Sequence, residues 1–138
     1  MDKKEFISDL ENNVYCRLQK SNISGVGVFA IRNIKKGTNP FNGKRVVTYT
    51  SVPLHRIMGS TDIHENVKKL MKDMYVIKGN KVYAPDHGLN EVDVSYFINH
   101  SSDSPNMEER GSGFEFYTKR DIEAGEELTV DYATYTDE

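Results

Sequence analysis

The apolar runs of this chain are short, and turn-forming residues bound them. Val14, Cys16 and Leu18 alternate with Tyr15, Arg17 and Gln19, the two-residue period of a half-buried strand. Ser24–Ile31 (SGVGVFAI) is a glycine-bounded apolar run of strand length, and Ile34-Lys35-Lys36-Gly37 reads as the turn after it. Arg45–Thr50 (RVVTYT) is β-branched and predicts a strand. Met74–Ile77 and Lys81–Ala84 flank Lys78-Gly79-Asn80 as a hairpin would. Phe114–Thr118 and Glu127–Tyr132 predict two more strands, separated by RDIEAGE. Helical spacing occurs in only two places. Residues 2–13 carry Phe6, Ile7 and Leu10, and residues 62–74 carry an apolar stripe of Ile63, Val67, Leu70, Met71 and Met74, read as core packing. Asp62 with Glu65 three residues later resembles a capping box at the start of the second helix. Six or seven short strands with two helices and no βαβ alternation exclude a doubly wound parallel sheet. The expectation is a mainly β, α+β fold with short helices.

The 138 residues suit one domain, 1–138, and the composition, 37% hydrophobic and 28% charged, is that of a chain with a packed core. No apolar run is long enough to cross a membrane. MDKKEFISDL is charged from its second residue and lacks a secretory apolar stretch, so an intracellular setting is expected. Cys16 is alone, which removes a disulfide frame or a cysteine zinc cluster. His55, His64, His87 and His100 show no metal-ligand spacing, so no metal is expected. Gly25-Val26-Gly27 lacks the third glycine and the following helix of a dinucleotide fingerprint. What remains is a strand whose backbone something approaches closely, or a bulge. There is no GxSxG elbow and no Walker loop. A net charge of −3 argues against direct nucleic-acid binding. Seven acidic residues and no Lys or Arg lie between Asp121 and Glu138, either a solvated face or an attraction for a basic peptide.

One stretch is left over. Tyr96–Met107 (YFINHSSDSPNM) sets an apolar triplet against Asn99-His100, then small and acidic residues, then Pro105-Asn106. Taken in order with SGVGVFAIRNIKKGT and YTKRDIEAGEELTVDY, it resembles the SET domain of protein lysine methyltransferases. The three segments are similar to that family's G-x-G-V-F-A strand with its I-x-x-G turn, its R-F-x-N-H-S-x-x-P-N, and its A-x-R-D-I-x-x-G-E-E-L-x-x-D-Y. Together they span Gly25 to Tyr132, and the domain's motifs about 14 to 132.

The resemblance implies a β-clip fold of small curved sheets, with the C-terminal segment threaded under the loop near Asn99–Asn106 in a pseudoknot-like arrangement. It implies S-adenosylmethionine as cofactor, bound by Gly25, Val26, Gly27, Asn99 and His100. The Asn-His main chain would meet the adenine edge, and the Asn99 side chain a polar group of the methionine moiety. Tyr132 would stand at the methyl-transfer centre as catalytic residue and cofactor contact. The partner implied is a protein or peptide offering a lysine, basic in character given the acidic end, with a histone as one candidate. Methyl transfer to an amine needs the amine neutral, aligned and about 3 Å from the methyl carbon. An apolar aromatic channel lowers the amine's pKa by desolvation, so no strong base is demanded. Tyr135, Tyr117, Phe97 and Tyr49 are the aromatic candidates for that channel.

The chain departs from the family pattern in four ways. The loop reads NHSSDSPN, one residue longer; Tyr96 stands where Arg is usual; Ala133 follows Tyr132; and no cysteine-rich flank is present. In lacking those flanks and carrying only six residues after Tyr132, it resembles the minimal stand-alone SET proteins of bacteria and viruses. With six residues after Tyr132, the far wall of the channel must come from the tail 133–138, from a variable insert 38–83, or from a second copy in a homodimer. Exposed Lys68, Lys69, Lys72 and Asp73 of the insert's helix are candidates for touching substrate. The alternative is an inactive SET-like binding or scaffold module.

Overall fold

A computed structural model describes residues 1–41, 46–111 and 114–137. The described residues form nine strands, three α-helices and three single 3₁₀ turns. In chain order these begin with α1 (Lys3–Asn12), β1 (Cys16–Lys20) and β2 (Val26–Ala30). Then come β3 (Tyr49–Pro53), α2 (Leu54–Met58), α3 (Glu65–Met74), β4 (Val76–Lys78) and β5 (Lys81–Pro85). Last are β6 (Asn99–His100), β7 (Met107–Arg110), β8 (Glu115–Thr118) and β9 (Glu127–Val130). The β-rich α+β fold of small sheets is as expected, while the short α2, β6 and β7 carry too few residues to register as periodic runs.

One sheet runs β1-β2-β9-β7-β8, with β6 added on β9; the other runs β3-β5-β4. β4 and β5 are an antiparallel hairpin whose Gly79 and Asn80 both have φ near +60°, as a type I′ turn requires. The expected strand at 45–50 instead begins at Tyr49; Arg45 lies outside the described residues, as do the rest of 42–45 in the insert and Glu138 in the tail. α3 is not capped by Asp62: His64 is its N-cap, and its Nδ1 accepts from Asn66 N–H at 3.0 Å. The stripe on α3 also packs less than its spacing predicts, for Met71 is buried while Val67 and Leu70 are exposed. Lys68, expected at the surface, is 4% exposed, its Nζ donating to Met58 O and to Glu65 at 2.9 Å each. It ties α2 to α3 and is not available to a substrate.

The core joins Val28, Ala30, Ile34, Ile98, Met107, Ile122, Leu128 and Val130. Leu128, Thr129 and Val130 are all buried because β9 has a partner on every side. It pairs antiparallel with β2 and parallel with both β6 and β7. Those two strands flank residues 101–106, so β9 passes beneath the loop that joins them. Ser101 N–H donates to Val130 O at 3.1 Å on one side of the loop, and Met107 stands opposite Val130 on the other. Between them the Asn106 side chain, 3% exposed, does what a strand would. Its Nδ2 donates to Glu127 O and its Oδ1 accepts from Thr129 N–H, both at 2.8 Å. The polar residues of the loop have a structural reason: a buried strand crosses there, and its main chain needs partners. The extra residue of NHSSDSPN is taken up among exposed Ser102–Ser104, leaving Asn106 in place.

Replacing Asn106 by Ala strands a buried N–H and a buried C=O on the central strand. We expect a loss of about 2–4 kcal/mol in urea unfolding, and no recovery with Asp, which cannot donate to Glu127 O. A loss below about 1 kcal/mol in Asn106→Ala would contradict this account of the threaded strand.

Candidate functional site

The two ends of β9 deliver the two halves of the site. At its start, Glu127 leans over β2. Ser21 Oγ donates to its carboxylate, with oxygens at 2.8 and 2.9 Å, while accepting from Ile23 N–H at 2.9 Å. Asn99 Nδ2 sits among acceptors only: Glu127 Oε2 at 2.8 Å, Ser21 Oγ and Ser24 O at 3.1 Å, and Val26 O at 3.2 Å. An all-acceptor shell fixes the amide's orientation, so Asn99 Oδ1 is the atom left to receive a donor.

The two glycines answer to different demands. A Cβ on Gly27 would lie 2.1 Å from Glu127 Oε2 and 2.9 Å from Asn99 Nδ2. The close approach inferred from Gly-x-Gly is therefore made here by the protein's own carboxylate. At Gly25 a Cβ would meet nothing within 4 Å, and the requirement is the backbone's φ of +45°. Val26 between them is exposed.

At the far end of β9, Tyr132 begins a 3₁₀ turn, Tyr132–Thr134, whose N-cap Asp131 accepts from Ala133 N–H at 3.0 Å. Tyr132 N–H donates to His100 Nδ1 at 3.0 Å, and the two rings lie 4.9 Å apart. Tyr132 Oη donates to Ile98 O at 2.5 Å. Because Ser101 N–H faces β9, the strand alternation turns the N–H and C=O of His100 to the opposite edge of β6. Among the described residues no other strand is paired along that edge.

Beside Tyr132 opens a cavity of about 110 Å³, walled by aromatic rings. Tyr49, Tyr83, Tyr96, Phe116 and Tyr135 line it together with Tyr132. Phe114 stands edge-on to Tyr49 and Tyr83 at 5.0 and 5.5 Å, and Tyr135 to Phe116 and Tyr132 at 5.3 and 6.2 Å. Burial, then the charges of Asp93, Asp86 and Glu115, holds the Tyr49 hydroxyl above the usual tyrosine range. Of the aromatic candidates, Tyr49 and Tyr135 line the cavity; Tyr117 and Phe97 do not. On β8 the residue facing the cavity is Phe116, so its neighbour Tyr117 points to the other face, where its hydroxyl donates to Glu115 and its ring lies under Arg110. Phe97 packs on the core.

The far wall comes from within one chain. The end of α3 and the start of β4 contribute Lys72–Val76, and the tail contributes Tyr135 and Thr136. That tail is laced to the edge of β4. Asp137 N–H donates to Ile77 O at 2.8 Å, Thr136 Oγ1 donates to the same oxygen at 3.1 Å, and Gly79 N–H donates to Asp137 Oδ2 at 2.8 Å. Sequence reasoning missed Ser21 and Glu127, and also Tyr96 and His87. Among the described residues no three His, Cys, Asp or Glu side chains gather as metal ligands, and no helix is long and apolar enough to cross a membrane.

Residues 25–133 match the family model described as the SET domain. This chain belongs to the SET family. Two solved structures share its fold. One is a candidate histone methyltransferase of Plasmodium falciparum, with TM-score 0.54 and 20% identity over 86% of this chain and 93% of the other. The other is a humanized mutant of the Chaetomium thermophilum Polycomb Repressive Complex 2 bound to the inhibitor GSK126, with TM-score 0.55 and 19% identity. That alignment covers 91% of this SET domain but 16% of the larger chain. A search of curated protein sequences returns no match. Members of the family are protein lysine methyltransferases.

The residues of this SET domain fit S-adenosylmethionine in three respects. The open edge of His100 offers a main-chain donor and acceptor side by side, the pattern an adenine edge needs. Asn99 Oδ1 is aimed by its shell to accept from an ammonium. Gly25 leaves its side of the strand clear.

Gly27→Ala drives a methyl into the Glu127 carboxylate. Its cost in urea unfolding should fall by at least about 1 kcal/mol in a Glu127→Ala background, the coupling expected of touching groups. Additive costs would place something other than Glu127 against Gly27.

Proposed function

We propose that this SET domain transfers a methyl group from S-adenosylmethionine to the side-chain amine of a lysine presented by a protein or peptide. The observation that carries the reading is the meeting of Tyr132 with the Asn99-His100 corner at one end of an aromatic cavity. Bound there, the cofactor would supply an electrophilic methyl on a positively charged sulfur. Everything else falls to the chain. His100, through its outward main-chain edge, would hold the nucleoside, and Asn99 Oδ1 the amino-acid end. The Gly25–Gly27 strand would run alongside.

On the acceptor side, the rings of Tyr49, Tyr83, Phe116 and Tyr135 strip water from the lysine arm and offer their faces to its cation. Tyr132 would orient the amine. Its hydroxyl is already anchored on Ile98 O, so the ring is fixed before substrate arrives, and little reorganisation is needed at the moment of transfer. Held in this way, the amine nitrogen would present its electron pair in line with the methyl group to be transferred. The tail and the insert would form the far wall of the channel.

An inactive scaffold would have no use for an oriented Asn99 amide and a Tyr132 hydroxyl fixed beside an open cavity. Calorimetric titration with S-adenosylmethionine separates the two readings: a wild-type protein that takes up none at millimolar ligand is no methyltransferase. Tyr132→Phe should lower labelled-methyl transfer into a protein extract by about 10²-fold or more while cofactor affinity stays within about threefold. Loss of cofactor binding in that variant would remove Tyr132 from the role given it here.

A further inference from the structure

Tyr96 stands in the cavity wall with Tyr132, at the position where the family pattern carries Arg. Its hydroxyl lies 3.4 Å from His87 Nε2, and the two rings meet edge to face at 6.1 Å. The His87 side chain is 5% exposed, and its Nδ1 is 3.2 Å from Asp86 Oδ1. A carboxylate can only accept, so the Nδ1 carries the proton and Nε2 is left as an acceptor aimed at the Tyr96 hydroxyl. Asp86 is held in turn by Thr48, whose N–H and hydroxyl donate to its other oxygen at 3.2 Å. The Asp86 side chain, 30% exposed, is the end of the chain that reaches solvent.

We propose that Asp86, His87 and Tyr96 form a proton relay that takes the proton from the substrate's lysine ammonium before methyl transfer. The inference rests on the methyltransferase reading above. In the step, an ammonium N–H bond breaks and its proton bonds to Tyr96 Oη. The Tyr96 hydroxyl proton passes to His87 Nε2, giving an imidazolium whose charge Asp86 balances. The amine keeps its electron pair for the methyl group; the imidazolium passes its Nδ1 proton to water by way of Asp86, and exchange of the remaining Nε2 proton with solvent restores the Nδ1–H form between turnovers. No oxidant or other reactant is needed.

The surroundings favour a relay over an ionised phenol. Burial, then Tyr49, Asp93, Tyr75 and Asp86, holds the Tyr96 hydroxyl well above the ordinary tyrosine range. A phenol that resists ionisation accepts one proton only as it gives up another. The groups around it are Tyr49 on β3, Tyr75 after α3, Asp86 and His87 after β5, and Asp93 at the cap of the 94–97 turn. None of these is a standing cation, so an incoming ammonium is drawn to this corner. Lys72 and Asp73 complete the charges on the cavity wall.

The test is a pH profile of initial rates for labelled-methyl transfer into one protein extract at saturating S-adenosylmethionine, for wild type, Tyr96→Phe and His87→Gln. Both variants should fall about 10²-fold at pH 7 and come within about threefold of wild type near pH 10, where the amine sheds its own proton. A loss of the same size at every pH would mean a merely structural role and overturn the relay. Imidazole ¹⁵N spectra of the full-length protein give an independent reading without substrate. They should find the proton of His87 on Nδ1, with the Nε2 resonance moving in Tyr96→Phe. A proton on Nε2, or an Nε2 signal indifferent to that change, would overturn it as well. A wild-type protein that transfers no methyl would sink the methyltransferase reading itself, a different result from either.

Discussion

The hydrogen bonds from the Asn106 amide to β9 are the contact on which the rest of the molecule depends. A central strand of four residues buried on both faces cannot leave N–H or C=O groups unmatched. β2, β6 and β7 match most of them, and the Asn106 side chain serves Glu127 O and Thr129 N–H. The loop 101–106 must therefore close over the strand, and closing it brings residues some thirty positions apart into register. That register is the site. Asn99 lies opposite Thr129 and His100 opposite Val130, which sets the Asn-His corner between the Gly25–Gly27 strand and the turn that begins at Tyr132. The strand that carries Glu127 at its start leads within five residues into the turn that begins at Tyr132.

Much of this was legible in the sequence because the segments that converge are the ones whose residue types are unusual for their local setting. A Gly-x-Gly inside an apolar strand, an Asn-His at the end of an apolar triplet and an Asp-Tyr closing a β-branched run each break the pattern of the strand that carries them. Other features were hidden for physical reasons. Glu127 reads as one more acid in an acidic run; only the fold discloses that Gly27 is small on its account. β6 is two residues long and has no period to detect. That Phe116 and not its neighbour Tyr117 faces the cavity is a matter of strand phase, where a slip of one residue exchanges the faces. His87 and Tyr96 are nine positions apart with no spacing signature, and their contact exists because the chain turns back between β5 and the 94–97 turn. Helix α3 misled in a different way. Its apolar spacing was read as a core face, yet it is a buried Lys68 that anchors it to α2.

The acidic C-terminal run illustrates how little a string of like charges says about a surface. Asp121 accepts from Lys36 N–H, and Glu126 pairs with Arg120, an arrangement that holds its carboxyl below the usual range. Glu127 orders Ser21 and Asn99, Asp131 caps the Tyr132 turn, and Asp137 holds the tail to the β4–β5 turn. These five carboxylates each hold a backbone or side-chain partner within the fold, so the run does structural work whatever its charge attracts. The carboxylates beside the phenols of the cavity are others, Asp73, Asp86, Asp93 and Glu115.

A lysine methyltransferase faces two demands on one nitrogen. Aromatic walls and nearby carboxylates bind the arm best while it is charged. Displacement at the methyl needs it neutral. Desolvation lowers the amine's pKa but removes no proton, and a channel dry enough to shift that pKa is a poor conduit for water to carry the proton off. The cavity divides the work between its walls. Tyr132, tied by its main chain to His100 and by its hydroxyl to Ile98, is built to stay still. Tyr96 rests on a buried histidine with an outlet to solvent through Asp86, an arrangement suited to moving a proton.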